Sequence, residues 1–164
     1  EEIRKECPWA TTGRFGGRKP NIITSLELRS EEMEIINLRI QEKYKKIEES
    51  EVRFEEYMLD DAEYAIVAFG SAARIAKKSI EIARSQGIKV GLLRPITLWP
   101  FPTKEVQKLG EKMKGILSLE INAGQMVEDI RLAVAGRVPV QHFGRLGGII
   151  PDPDEVVDAI KRLF

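Results

Sequence analysis

Glu63-Tyr-Ala-Ile-Val-Ala-Phe-Gly-Ser71, the polar and apolar mixture from Ala72 to Gln86, and Gly87-Ile-Lys-Val-Gly-Leu-Leu-Arg-Pro-Ile-Thr97 decide the fold. The first piece is an apolar run of strand length that ends in Gly70-Ser71. Glycine permits a tight turn there, and a serine beside it can accept a bond from the free amides that open a helix. Ala72, Ile75, Ala76, Ser79, Ile80 and Ala83 then recur at three- and four-residue spacing, while Arg74, Lys77, Lys78, Glu81 and Arg84 take the other face. That periodicity predicts an amphipathic helix, closed by Gly87 at C′. Ile88 to Leu93 is a second apolar run. A helix of this length between two such runs makes a right-handed parallel crossover, so the two strands are expected side by side.

Working outward, Glu51-Val-Arg-Phe-Glu-Glu-Tyr57 alternates and predicts an edge strand with Val52, Phe54 and Tyr57 inward, Asp60-Asp61 turning the chain back. On the other side, Leu98-Trp99-Pro100-Phe101-Pro102 is a loop stiffened by two prolines, whose two large aromatics require cover from a partner domain. Thr103 caps the next helix, which buries Val106, Leu109 and Met113. Gly115 to Ile121 is a strand, Asn122-Ala-Gly-Gln125 its turn, and Val127, Ile130 and Val134 stripe a helix that stops at Gly136. Val138 to Phe143 is a last strand, held to an edge by Pro139. A glycine-rich turn from Gly144 to Gly148 leads to a final helix with Asp152 as N-cap, Pro153 at N1, Glu155 at N3, and Val156, Ile160 and Leu163 inward. The alternation predicts an α/β fold in three layers, a doubly wound sheet with helices on both faces.

The beginning of the chain reads differently. Residues 1–29, with Cys7-Pro-Trp-Ala-Thr-Thr-Gly-Arg-Phe-Gly-Gly-Arg-Lys-Pro20, carry no sustained period and read as a tail or linker from a domain upstream. Gly13, Gly16 and Gly17 among Arg14, Arg18 and Lys19 suggest an anion loop only superficially, because no strand or helix frames them. Ser30 as N-cap and Glu31-Glu32 in the first turn open a connecting helix over 30–50, striped by Met33, Ile36, Ile40, Tyr44 and Ile47. Residues 51–164 then form the folded domain.

Composition limits the function. The 26 basic and 26 acidic residues cancel, which gives no support for a nucleic-acid or anionic-membrane surface. No apolar stretch approaches the roughly 20 residues of a membrane span, and Glu1 to Glu6 is unlike a signal peptide, so the chain reads as cytoplasmic. One Cys and one His leave no internal disulfide and no iron–sulfur cluster held by this chain alone, and they speak against a zinc site. Among possible active groups, Glu120 at a strand end is the better acid or base candidate, against the plainer role of a carboxylate bonding loop amides. His142, beside Phe143 in an edge strand with no paired nucleophile, reads as structural. Glu128 and Asp129 read as solvated or at an interface.

Three segments carry a family resemblance. Ala68-Phe-Gly-Ser-Ala-Ala-Arg-Ile-Ala76, Gly91-Leu-Leu-Arg-Pro-Ile-Thr-Leu-Trp-Pro-Phe-Pro102 and Glu120-Ile-Asn-Ala-Gly-Gln-Met-Val-Glu-Asp-Ile-Arg131 closely resemble the α subunit of 2-oxoacid:ferredoxin oxidoreductases of the 2-oxoglutarate and branched-chain type. The likeness extends to Lys19-Pro-Asn-Ile-Ile-Thr-Ser25 and covers the C-terminal portion of such a subunit, a domain similar to the C-terminal domain of transketolases. It implies a mixed five-stranded sheet in the order 1-3-2-4-5 with the first strand antiparallel. It also implies an enzyme that decarboxylates a 2-oxoacid on thiamine diphosphate and Mg, passes electrons through iron–sulfur clusters to ferredoxin, and delivers the acyl group to coenzyme A. A β subunit holding the thiamine site and ferredoxin-like or γ subunits are the implied partners. This chain carries neither the Gly-Asp-Gly thiamine motif nor cluster cysteines, so no catalytic, cofactor or metal ligand is expected in it. A different thiamine enzyme, such as a transketolase or dehydrogenase component, and a stand-alone nucleotide-binding module are the rival readings. The positions expected to dock against neighbouring domains are Gly70, Ser71, Arg94, Pro95, Thr97, Trp99, Phe101, Asn122, Gly124 and Gln125.

Overall fold

A computed structural model describes residues 9–11, 13–22 and 24–163; Cys7 lies outside them, as do Glu1 to Glu6, Thr12 and Ile23. Two compact units divide the chain, Glu1–Lys43 and Tyr44–Phe164. In the first, Phe15–Gly17 makes one 3-10 turn, and the Arg18 guanidinium and the Asn21 amide both donate to the Ala10 carbonyl. Helix α1 spans Ser30–Ser50 and continues into the second unit. Its first bond runs from the Met33 N–H to the Arg29 carbonyl, which places Ser30 inside the helix instead of at the cap. The stripe Met33, Ile36, Ile40 and Ile47 is half-buried and Tyr44 is exposed.

The second unit holds strands β1 (Phe54–Tyr57), β2 (Tyr64–Val67), β3 (Val90–Pro95), β4 (Gly115–Glu120) and β5 (Val140–Gly144). Helices α2 (Gly70–Ser85), α3 (Thr103–Lys112), α4 (Met126–Val134) and α5 (Pro153–Lys161) connect and follow them. The sheet order is β1-β3-β2-β4-β5, with β1 antiparallel to β3 and every other pairing parallel. This is the mixed three-layer α/β/α sheet that the resemblance implied, and the two edges fall where alternation and Pro139 put them.

Side-chain period two sorts the core. Tyr64, Ile66, Val90, Leu92, Leu117 and Leu119 meet α2 and α5, while Ala65, Val67, Leu93 and Ile116 meet α3 and α4. Burial on both faces explains why these strands read as continuous apolar runs. All the residues expected inside α3, α4 and α5 are buried, and the α2 stripe is buried apart from the half-covered Ile75. Gly87, at φ +85°, closes α2 with paired bonds from its own N–H to Arg84 and from Ile88 to Ala83. Asp152 and Glu155 complete the capping box of α5.

Three further local expectations fail. Helix α2 starts at Gly70 after Phe69 and has no side-chain cap, so Ser71 is a helical residue and not a capping acceptor. Thr103 likewise begins α3 after Pro102, its hydroxyl turned toward the Phe101 carbonyl at 3.5 Å. On β1, Phe54 is exposed whereas Tyr57 packs on the α2 side; residues three apart on a strand point to opposite faces, so both cannot face one core layer.

Gly91 shows how tightly β3 is held. A Cβ built there would lie 2.4 Å from the Met58 carbonyl oxygen and 2.7 Å from Leu59 Cδ2. Backbone cannot step aside cheaply, so Gly91→Ala is expected to cost about 1–3 kcal/mol, the usual range for overpacking. Urea unfolding of the two proteins, with an unchanged m-value, measures it.

Candidate functional site

In a parallel sheet the loops that leave the carboxyl ends of the strands share one edge. Here the loops after β2, β3 and β4 converge on a cavity of ≈ 180 Å³ lined by Phe69, Leu98, Phe101, Glu120, Gln125, Met126 and Asp129. Ile96 (54% exposed), Leu98 (48%), Trp99 (54%) and Ile121 (37%) leave apolar surface on these loops. Trp99 meets the Tyr44 ring edge-on, with centroids 5.2 Å apart and planes at 72°, and the Trp99-Pro100 bond is cis. Phe101 packs against the α3/α4 core instead of awaiting a partner.

Glu120 anchors the edge. Its side chain is fully buried, on the α4 side of the sheet. One carboxylate oxygen accepts from the amides of Gln125 (3.1 Å) and Met126 (2.9 Å). The other accepts from the Val127 amide (3.0 Å) and the Ser118 hydroxyl (2.9 Å). Burial pushes its pKa up. The bonds from the Met126 amide, the Ser118 hydroxyl, the Gln125 amide and the Asn122 side chain outweigh that and leave it below the usual glutamate range. Of the two roles foreseen for Glu120, the structure gives it that of a carboxylate bonding loop amides, which caps α4 from the neighbouring strand.

Beside it stands His142, on β5 in register with Ser118. Its Nε2 lies 3.9 Å from a Glu120 oxygen and has no hydrogen-bond partner. Gly144 flanks the ring so closely that a Cβ there would lie 2.8 Å from His142 Cε1, and Gly124 flanks it at ordinary contact distance. Asn122 Oδ1 accepts from the Gly124 N–H at 2.7 Å, an Asx turn that shapes the same loop. The Gln125 side chain lines the cavity. On the rim, exposed Glu128 pairs with Arg131.

The remaining expected positions lie elsewhere on this edge. Thr97 Oγ1 accepts from the Arg53 N–H at 2.9 Å and ties the end of β3 to the approach of β1; Pro95 is buried as the last residue of β3. Arg94 donates to Glu55 at 2.9 Å, its cross-strand partner on β1, and Glu55 also takes a 2.6 Å bond from Lys77. The Lys77 bond, then the Arg94 bond, hold the Glu55 carboxyl below its usual pKa range. Arg94 joins Gly70, Ser71, Ala73, Arg74 and Lys77 around a second cleft of ≈ 560 Å³. The sequence reading missed Arg74, Lys77 and Glu55 as members of this group. Their signal was the three-residue spacing of two cations directly after Gly70-Ser71.

Among the described residues no group of three or more His, Cys, Asp or Glu side chains could hold a metal ion. One cysteine cannot ligate a cluster. No helix among the described residues is long and apolar enough to cross a membrane.

Comparison with known proteins gives the following. The family model for pyruvate:ferredoxin oxidoreductase core domain II matches residues 62–156. The ketoisovalerate oxidoreductase subunit VorB of Methanothermobacter thermautotrophicus is 43% identical over 99% of this chain and 46% of that protein. The 2-oxoglutarate synthase subunit KorA of Methanothermobacter marburgensis is 31% identical over 63% of this chain and 28% of that protein. Thus the chain spans about half the length of the VorB relatives it matches. Among solved structures, the 2-oxoglutarate:ferredoxin oxidoreductase from Magnetococcus marinus with 2-oxoglutarate, coenzyme A and succinyl-CoA bound superposes with a TM-score of 0.69 at 20% identity, covering 84% of this chain and 24% of that one. A split-gene transketolase gives 0.58 at 14% identity, covering 68% and 41%. Both share the fold described above.

The Glu120 cap has a measurable consequence. Glu120→Gln keeps the shape but removes the charge and half the acceptor capacity facing three amides, and is expected to cost about 1–3 kcal/mol. Because the folded carboxyl has a lowered pKa, its stabilisation is complete above the unfolded value and is lost as pH falls below about 4. Chemical denaturation from pH 7 to pH 3 should therefore show the gap between wild type and Glu120→Gln narrowing with acid.

Proposed function

This chain belongs to the pyruvate:ferredoxin oxidoreductase core domain II family, and from that premise we propose that it is the C-terminal part of the α subunit of a cytoplasmic 2-oxoacid:ferredoxin oxidoreductase. The complete enzyme oxidatively decarboxylates a 2-oxoacid to the acyl-CoA and reduces ferredoxin. Thiamine diphosphate, Mg and iron–sulfur clusters reside on other domains or on partner subunits, among them a β subunit. The likeness to VorB, at 43% over nearly the whole chain, supports this reading and favours a branched-chain 2-oxoacid over 2-oxoglutarate.

The role of this part is to position and assemble. The observation that carries it is the convergence of three strand-end loops on one edge, with Ile96, Leu98, Trp99 and Ile121 left exposed around a capped, rigid core. Burial of such a cluster against a neighbouring domain supplies affinity. Arg94, Thr97, Asn122, Gly124 and Gln125, with Gly70 and Ser71, supply polar register at its rim. Residues 51–164 form the independent folding unit of the proposal, with 1–29 as linker and 30–50 as connecting helix.

Three measurements test this. The complete complex, supplied with coenzyme A, should reduce ferredoxin faster with 2-oxoisovalerate than with 2-oxoglutarate. The reverse order would overturn the substrate preference. In the complete complex, Leu98→Ala combined with Trp99→Ala should weaken subunit association by at least about 2 kcal/mol, roughly thirtyfold, with little change in the melting temperature of this chain alone. Normal association in sedimentation experiments would refute docking through this edge. Among the described residues no group of side chains could hold the metal that grips a diphosphate, so calorimetry of the chain alone should detect no Mg-dependent gain in affinity for thiamine diphosphate.

A further inference from the structure

The cleft beside Arg94 is not explained by apolar docking. Three cations, Arg74, Lys77 and Arg94, line ≈ 560 Å³ together with Gly70, Ser71 and Ala73. They face one carboxylate, Glu55, which bonds Lys77 through one oxygen and Arg94 through the other. Among the described residues no carboxylate lies within ion-pair distance of Arg74. The cluster therefore keeps a surplus of two positive charges. Glu55 also fixes the two cations it touches, with the side chains of Lys77 and Arg94 each a little over a third exposed. Their donors are not exhausted. One ammonium N–H and one guanidinium N–H are used, and an ammonium carries three and a guanidinium five. The cleft also receives the start of α2, where no side chain caps the first amides.

We propose that this cleft binds a phosphate-class dianion. The surplus of two charges matches a dianion. The donor set combines guanidinium forks, an ammonium point charge and free helix amides, the combination that suits tetrahedral oxyanions. A carboxylate is the weaker match, because its two coplanar oxygens engage fewer of these donors than the three or more oxygens of a phosphate group. Glu55 acts as the internal counter-ion that keeps Lys77 and Arg94 in place before the ligand arrives. Gly70, Ser71 and Arg94 also stand at the rim of the docking edge proposed above, so the test is made on this chain alone, where no partner covers the cleft.

The test uses the full chain, inorganic phosphate slightly above neutral pH, where it is mainly the dianion, as the probe, and amide chemical shifts at constant ionic strength. Gly70 and Ser71 should shift saturably. Arg74→Gln, at an exposed position with no ion pair to lose, should weaken the response at least tenfold, and Arg94→Gln should do the same if it folds. Succinate at equal ionic strength should leave the two amides unmoved. Three results would overturn the proposal: no saturable shift at Gly70 and Ser71, an unchanged affinity in Arg74→Gln, or an equal response to succinate. The last would mark the cleft as a seat for a protein carboxylate.

Discussion

A carboxylate removed entirely from water has to be bonded at almost every lone pair or it is not ionised at all. Glu120 meets that condition with three amides and a hydroxyl, and in doing so it welds the end of β4 to the start of α4. The five residues between them cannot then wander. Their backbone path sets the Asx turn at Asn122, the place of Gln125 and the wall against which His142 rests. A helix whose own N-cap residue, Gln125, supplies no capping side chain is capped from a neighbouring strand, so strand and helix stand or fall as a pair.

The same economy appears at Glu55. It sits on the antiparallel edge strand yet reaches across to a cation on β3 and another on α2, linking the edge of the sheet to the helix layer. Surface ion pairs contribute little individually. What this one provides is arrangement: two long, flexible side chains are held facing a common space. Without a charge at that strand position, Arg94 and Lys77 would be free to turn toward bulk solvent, and the cleft would lose its shape before it lost any stability.

Period two in the strands and period three to four in the helices were legible because burial on both faces of a parallel sheet leaves few alternatives; Ile66, Leu92 and Ile130 had nowhere else to go. Pro139 and the Asp152-Pro153-Asp154-Glu155 box were legible because their chemistry is local. The caps at Ser71 and Thr103 misled because a hydroxyl within one residue of a helix start is only a necessary condition. Whether it reaches an amide depends on the turn, and at both starts the preceding backbone, Phe69 and Pro102, took the cap position. Glu120 was recognised as important, but its two roles were not separable from sequence, because the amides that decide between them belong to residues five to seven places later. The cleft cations were hidden for a similar reason. Arg74 and Lys77 look like any solvated helix face until β1 and β3 bring Glu55 and Arg94 alongside.

Pro139, immediately before β5, has a meaning beyond strand placement. An open sheet ends in two rows of unpaired backbone groups, and each is a template on which a second chain can polymerise. At the β5 end, the residue leading into the strand has no N–H to offer, and the five-residue strand runs out in Gly144. At the other end, β1 is four residues long and carries Glu55 and Glu56 at its centre, so two copies laid edge to edge would bring acidic groups together. Both ends thus discourage fibrillar growth, because a second copy arriving at either edge meets a missing donor or a like charge where a ladder bond should form.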